Sequence, residues 1–229
     1  MRVVVALGAL LAAAGAHAQV SGTVTLTSDY RWRGISLSDE APALQLGLAY
    51  DTAGGWYAGA MLSSVRRPFG SEADLQAIAY AGYARRMRGN LSWDAGAEYA
   101  ALVGESDYNY PEFHVGLASQ RLGARLSYAP RYPDRDVPAV YFELNGNQPM
   151  GRRLRLLGHL GWQRRGEDGA GDDGGDTRVD AQVGLGIAFE PFDLRIAWSQ
   201  VSGRDERTRQ YPIYGGDDSG WIVTLSRAW

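Results

Sequence analysis

An alternation of apolar and polar residues at the end of the chain constrains the fold more than any other feature. In residues 221–229, Trp221, Val223, Leu225 and Trp229 are apolar, whereas positions 224 and 226 are small and polar. This period of two is typical of a β-strand with one apolar face. As the edge of a soluble sheet, such a strand would invite aggregation, but in a closed barrel it pairs with the first strand. The segment therefore predicts a transmembrane β-barrel.

The same alternation recurs along the chain after residue 19. The predicted strands are 20–30, 43–51, 56–64, 74–83, 91–101, 110–119, 124–132, 139–147, 154–163, 178–189, 193–201 and 221–229. Short turn-like connections at 52–55, 120–123 and 190–192 contrast with longer polar ones at 164–177 and 202–219. Because outer-membrane barrels place short turns on the periplasmic side, we predict an all-β antiparallel barrel of about 12 strands with both termini periplasmic.

The first 18 residues have the pattern of a cleaved signal peptide. Arg2 precedes an apolar run, and Ala16-His17-Ala18 forms a small-x-small cleavage site. The run is shorter than the roughly 20 residues that a membrane-spanning helix needs. We expect export, a mature barrel over residues 19–229, and insertion into the bacterial outer membrane. A final aromatic residue resembles the signal that the barrel assembly machinery recognises, so that machinery is an expected partner.

The polar face of the strands predicts a charged lumen. The residues expected to line it are Arg31, Arg33, Asp74, Asp94, Glu98, Glu112, His114, Arg125, Glu143, Arg155, His159, Arg178, Asp180 and Arg195. Acids dominate the earlier strands and arginines the later ones, with Asp180 and Asp193 among the arginines. Two arcs of opposite sign would give either a narrow diffusion porin with a transverse field or a closed structural barrel joined by salt bridges.

Aromatic residues at strand ends predict membrane girdles. Those assigned to the lipid–water interfaces are Tyr30, Trp32, Tyr50, Trp56, Trp93, Tyr99, Tyr128, Trp162, Trp198, Trp221 and Trp229. Tyr and Trp suit this position because one end of each side chain is apolar and the other is polar. Membrane lipids and lipopolysaccharide are therefore expected partners.

One motif lies at the end of the first predicted strand. Residues 28–38 read SDYRWRGISLS, followed by Pro42 and by QLGLAY at 45–50. This pattern resembles the N-terminal signature of the TorF family, bacterial exported proteins proposed to be porins, which implies a barrel and a porin activity. If the alternation continues, Arg31 and Arg33 face the mouth of the lumen. They then contact either lipid phosphates at a loop corner or the passing solute.

Enzymatic and cofactor chemistry is not indicated. The mature chain has two histidines, His114 and His159, on strands that are not neighbours. An outer-membrane lipase would need Ser and His together on the lipid face, and a protease would need His and Asp at the outer rim. The acidic segment 166–177 lacks the spacing of a calcium loop and is interpreted as an outer loop. We predict no enzyme, no metal, no cofactor and no nucleic-acid partner, with ions or small polar solutes as ligands.

Overall fold

The computed structural model describes residues 18–66, 75–133, 136–166, 177–203 and 218–229, and in them the chain forms a closed antiparallel β-barrel. Its strands are β1 (Ala18–Thr27), β4 (Ala43–Thr52), β5 (Trp56–Ser64), β6 (Leu75–Arg86), β7 (Ser92–Leu102), β8 (Glu105–Ala118), β9 (Leu122–Tyr132), β10 (Val137–Pro149), β11 (Leu154–Arg165), β12 (Thr177–Phe189), β13 (Phe192–Ser202) and β14 (Ser219–Ala228). A separate two-stranded hairpin consists of β2 (Arg31–Trp32) and β3 (Ile35–Ser36). The predicted twelve-stranded barrel is confirmed.

The barrel closes where the first strand meets the last. β1 pairs with β4 on one side and with β14 on the other, and Leu26 lies opposite Leu225. Beyond this ladder, Gly22 and Trp229 exchange two backbone hydrogen bonds of 3.0 and 3.1 Å. The predicted terminal strand therefore supplies the closing edge, and none of the described strands leaves an unpaired edge in the wall.

The two ends of the barrel differ. One end, here called the terminus end, carries both ends of the described chain and the short connections between β4 and β5, β6 and β7, β8 and β9, β10 and β11, and β12 and β13. The opposite end, the loop end, carries the long connections after β1, β5, β11 and β13 and two short ones, at 103–104 and 133–136. The parts of these at 67–74, 167–176 and 204–217 lie outside the described residues. The same is true of residues 1–17, which hold most of the predicted signal peptide.

The outward face of the wall is apolar. Leu26 is 53% exposed, Val115 55% and Val183 56%, although each is surrounded by a regular sheet. Many inward positions that alternate with them are small, polar or charged, as the sequence predicts, but apolar and aromatic side chains such as Ile78 and Tyr110 are buried inside the loop half. A continuous exposed apolar band is far larger than the patches found on soluble proteins.

None of the described residues forms a helix that is long and apolar enough to cross a membrane.

The first predicted strand is too long. Its earlier end matters because the residues that follow it fill part of the barrel interior. β1 ends at Thr27, three residues before the predicted end, because the chain leaves the wall at Ser28. The Ser28 amide donates to the Val223 carbonyl at 2.8 Å, and the Ser28 hydroxyl accepts from the Val223 amide at 3.0 Å. Residues 28–42 then fold into the lumen from the loop end, and we call this segment the inner hairpin.

Two of the predicted girdle residues consequently lie inside the barrel. Tyr30 is only 6% exposed and lies inside the barrel against Leu37, Ala43, Val65 and Leu102. Trp32 packs against the same cluster and against a second one that includes Tyr110 and Tyr132. The prediction that Tyr30 and Trp32 face lipid is therefore wrong.

The other nine predicted girdle residues lie on the outward face, in two rows. Near the terminus end are Tyr50, Trp56, Trp93 and Trp229, and nearer the loop end are Tyr99, Tyr128, Trp162, Trp198 and Trp221. Trp198 and Trp221 are direct cross-strand partners with ring centroids 5.4 Å apart. On β7 the two rows are six residues apart, about 20 Å along the strand.

Candidate functional site

Asp29 organises the inner hairpin. Its carboxylate accepts a hydrogen bond from the Ser36 hydroxyl at 2.6 Å, a longer one from Ser38 at 3.3 Å, and an ion-paired one from Arg31 Nε at 2.6 Å. The Tyr30 amide donates in turn to the Ser38 hydroxyl at 2.8 Å. Because Asp29 and Ser38 are almost fully buried, these bonds hold the two arms of the hairpin together in a place that water does not reach.

Two aromatic residues attach the hairpin to the wall. Tyr30 donates its hydroxyl proton to Gln76 Oε1 on β6, and Trp32 Nε1 donates to the Tyr110 hydroxyl on β8 at 3.2 Å. Burial, with a smaller effect from Glu98, raises the pKa of Tyr30, so its hydroxyl remains a donor at physiological pH. The apolar rings fill the loop half of the lumen, and their polar atoms are satisfied.

Arg33 joins the inner hairpin to β8 and β10 on the wall of the lumen. Its guanidinium donates to both Glu112 oxygens on β8, at 2.5 and 2.6 Å, and it stacks on the Tyr141 ring at 4.2 Å. The rings of Trp32 and Tyr132 lie 5.6 and 5.7 Å from the same group. With a side chain only 6% exposed, Arg33 combines a buried ion pair with cation–π contacts.

The tip of the hairpin is a two-residue turn of Arg33 and Gly34. Their φ angles are 51° and 80°, and two positive φ values are what a type I′ turn requires. A Cβ on Gly34 would lie 2.6 Å from Asp180 Cβ and 2.8 Å from Val201 Cβ. The turn therefore touches β12 and β13, on the far side of the lumen from the wall that binds Tyr30.

A polar cavity lies beside the tip. Its volume is about 260 Å³. Its lining comprises Arg31, Trp32, Arg33, Gly34, Glu98, Glu112, Arg125, Ser127, Tyr141, Glu143, Asn145, His159, Asp180 and Gln182. A second cavity of about 240 Å³ includes Arg195 and Thr224 and shares Asn145, His159 and Gln182 with the first. We call the first the constriction cavity and the second the lower cavity.

His159 stands at the junction of the two cavities. Its Nε2 lies 2.8 Å from an Asp180 oxygen and its Nδ1 lies 2.8 Å from Asn145 Oδ1. Tyr141 donates to Asp180 at 3.2 Å. Asp180, only 2% exposed, is therefore bound from two sides, so the wall below the hairpin tip is held by a closed polar network.

A similar cluster lies lower on the opposite wall. His114 Nε2 is 3.1 Å from Asp94 and 3.0 Å from the Tyr57 hydroxyl. Arg125 approaches the same carboxylate at 3.7 Å, and its side chain remains 41% exposed. The Asp94 carboxylate thus contacts both a histidine and a half-exposed guanidinium.

Near the terminus end, two predicted lumen arginines share one acid. Arg155 and Arg195 donate to the same Asp193 oxygen at 2.6 and 2.9 Å. At the loop end, the buried Arg178 donates to Gln163. Asp74, predicted to line the lumen, lies outside the described residues.

The predicted lumen residues that the structure describes all lie inside the barrel, but the two expected arcs do not meet across it. Among the described residues, the ion pairs of the wall join residues at most two strands apart, such as Arg155 on β11 with Asp193 on β13 and His159 on β11 with Asp180 on β12. The contact that crosses the lumen comes from Arg33, which belongs to the inner hairpin and not to the wall. In the same described part of the chain, no group of three His, Asp or Glu is placed to hold a metal ion.

Several residues of the site are absent from the predicted set of lumen residues. Tyr57 and Tyr141 both bind a histidine and an aspartate, and Gly34, Asn145 and Gln182 complete the cavity lining. The alternation on β10 places Tyr141 on the same face as Glu143, so its inward direction was available from sequence. Its partners were not, because they lie on β11 and β12.

Comparison with solved structures supports the fold. The NanC porin aligns with a TM-score of 0.61 at 9% identity, covering 91% of this chain and 99% of that one. The KdgM porin aligns with a TM-score of 0.54 at 11% identity and the same coverage. An outer membrane channel from Pseudomonas putida F1 gives a TM-score of 0.51 at 13% identity, covering 95% of this chain and 97% of the other. At these identities the likeness shows a shared fold.

No curated protein matches the sequence. The model of a family described as "Bacterial protein of unknown function (Gcw_chp)" matches residues 11–229, which is nearly the whole chain. The barrel, its inner hairpin and its charged cavities are therefore those of a member of a bacterial family without an assigned function, and this chain belongs to the Gcw_chp family.

Proposed function

We propose that this protein is a narrow porin of the bacterial outer membrane, through which ions and small polar solutes diffuse. The observation that carries the proposal is the pair of polar cavities that share Asn145, His159 and Gln182 inside a closed barrel. Solved barrels of the same fold are porins or outer membrane channels, which supports it. The finer assignment to the TorF family of proposed porins rests on the motif at 28–38 and is part of this proposal.

The proposed location and orientation follow from the two ends of the barrel. The apolar outward band and its two rows of aromatic side chains suit a bilayer with its lipids and lipopolysaccharide. With the short turns and both termini in the periplasm, the inner hairpin enters the lumen from the outer side. Export through cleavage after Ala18 and insertion by the barrel assembly machinery are tested by N-terminal sequencing and membrane fractionation. A mature protein that starts at another residue, or recovery in the soluble periplasm, would contradict this part of the proposal.

The geometry limits the size of the path. Twelve strands spaced about 4.8 Å apart and tilted by about 40° give a backbone radius of roughly 12 Å. Inward side chains take up about half of that radius, and the inner hairpin occupies much of the loop half. We therefore propose a path for hydrated ions and small solutes and not a wide channel.

The test is conductance in planar bilayers, with charge substitutions near the terminus end. Replacing both Arg155 and Arg195 by Ala removes two positive charges and leaves Asp193 without these donors. Because a charge inside a narrow lumen acts strongly on passing ions, selectivity should move toward cations. Arg164→Ala, on the outward face of β11, is the matched control and should leave selectivity unchanged. An unchanged selectivity in the double variant of a conducting protein would refute the assignment of these side chains to the path.

A closed structural barrel is the second candidate. The Arg33–Glu112 contact and the packed aromatic rings of the inner hairpin favour it, since they fill the loop half of the lumen. Wild-type protein that never conducts, together with variants of the hairpin that do, would establish this candidate and exclude the porin. We further propose that neither Tyr–His–Asp cluster is an enzyme site. One cluster joins β10, β11 and β12 and the other joins β5, β7 and β8, so both cross-link the wall on one side.

A further inference from the structure

The constriction cavity contains more carboxylates than arginines. Arg31, Arg33 and Arg125 face Glu98, Glu112, Glu143 and Asp180. Narrowing by the inner hairpin brings any passing ion closest to the wall at this level. The balance of charge here is therefore expected to act on the ion more strongly than charge elsewhere in the lumen.

The arginines of the cavity are already bound to carboxylates. Arg33 is joined to both oxygens of Glu112, and Arg31 is joined to Asp29, which lies outside the cavity lining. Their side chains are only 6% and 2% exposed. Two of the three positive charges are thus enclosed and compensated by close carboxylates, and they present little field to the water-filled space.

Two glutamates of the cavity differ from this pattern. Among the described residues, neither Glu98 nor Glu143 forms an ion pair or a hydrogen bond through its carboxylate. Glu98 is the direct cross-strand neighbour of Glu112, whose carboxylate is occupied by Arg33. Both side chains are half-buried, so their charge faces the cavity.

The third arginine compensates them only in part. Arg125 is the direct cross-strand neighbour of Glu143, but its guanidinium lies 3.7 Å from Asp94, an acid outside the cavity lining. Toward the terminus end, Arg155 and Arg195 share Asp193, which leaves an excess positive charge on that part of the wall. The lumen is therefore negative at its narrow level, and its β11 and β13 wall is positive below that level.

We infer that Glu98 and Glu143 form a cation filter at the constriction cavity, so that the path admits small inorganic and organic ammonium-type cations in preference to anions of the same size. This inference rests on the proposed porin function and names its selectivity. The Tyr141–His159–Asp180 network holds the wall beside Glu143, on β10, β11 and β12, in place, so the filter has a fixed width.

The test measures reversal potentials in a KCl gradient across planar bilayers. Wild type is expected to prefer K⁺ over Cl⁻. A carboxylate about 5 Å from a passing ion changes the local ion concentration about fourfold at the dielectric constant of water. Glu98→Gln combined with Glu143→Gln should therefore lower the permeability ratio by at least that factor while total conductance persists. Glu190→Gln, in an exposed turn at the terminus end, is the matched control and should leave the ratio unchanged.

The outcomes separate the filter from the porin. A conducting wild type whose selectivity is the same in the double Gln variant would overturn the filter and leave the porin standing. A wild type without conductance would overturn both. Since the two carboxylates have no partners among the described residues, the Gln variants should assemble normally. Glu143→Lys is a second variant with an opposite expectation, a preference for anions, and a cation preference retained in it would also overturn the filter.

Discussion

The tip of the inner hairpin offers the sharpest test of the proposed constriction. Gly34 has a φ of +80°, and a Cβ there would lie 2.6 Å from Asp180 Cβ and 2.8 Å from Val201 Cβ. Carbon atoms pack at about 3.5–4.0 Å, so the tip must retreat by roughly 1 Å to accept Gly34→Ala. We expect the hairpin, and not the barrel wall, to move.

The energetic cost of Gly34→Ala has two parts. An alanine in the left-handed region costs about 1–2 kcal/mol, and overpacking of this kind costs about 1–3 kcal/mol. Gly89 provides a matched control, because its φ is +79° and nothing lies within 4 Å of a Cβ there. Gly89→Ala should therefore carry only the backbone cost, of about 1–2 kcal/mol, in an exposed turn at the terminus end.

The assay compares folding and conductance in the same preparations. Heat-modifiable migration in gels reports assembly of the barrel, and single-channel recording reports the path. Gly34→Ala should assemble and conduct more than wild type, because the gap that opens lies along Asp180 in the constriction cavity. Gly89→Ala should keep wild-type conductance. Assembled Gly34→Ala protein with unchanged conductance would refute the claim that the hairpin tip sets the constriction.

Two further predictions concern the closing strand. Leu225→Asp places a charge on the lipid-facing side of β14, where the cost near mid-membrane approaches about 2 kcal/mol, and the fraction of heat-modifiable protein should fall. Ser226→Asp, on the lumen face of the same strand, should assemble normally, and equal yields of the two would contradict the assigned faces. Deleting Trp229 removes both its backbone pairing with Gly22 and the ring that covers that glycine. Membrane-inserted, heat-modifiable protein should then decrease, and a wild-type level would show that this contact is dispensable for assembly.

Much of the barrel could be predicted because alternation is a local property. On β8, Phe113, Val115 and Leu117 alternate with Glu112 and His114, and that order alone assigns each side chain to a face. The short turns are equally local, since they depend on a few glycine, proline and polar residues. For the same reason, inward charged residues such as Glu98 and Arg155 could be named before any strand pairing was known.

The interior was decided by tertiary structure. Tyr30 and Trp32 continue the apolar register of Val24 and Leu26, so alternation alone extends the first strand through them. The strand ends at Thr27 because residues 28–42 gain more from partners inside the barrel, where Gln76, Tyr110 and Glu112 lie at distant positions in the chain. A one-dimensional pattern carries no information on such pairs. Only the closed barrel, which brings those strands together, determines which arginine crosses the lumen and which glutamates lack a partner there.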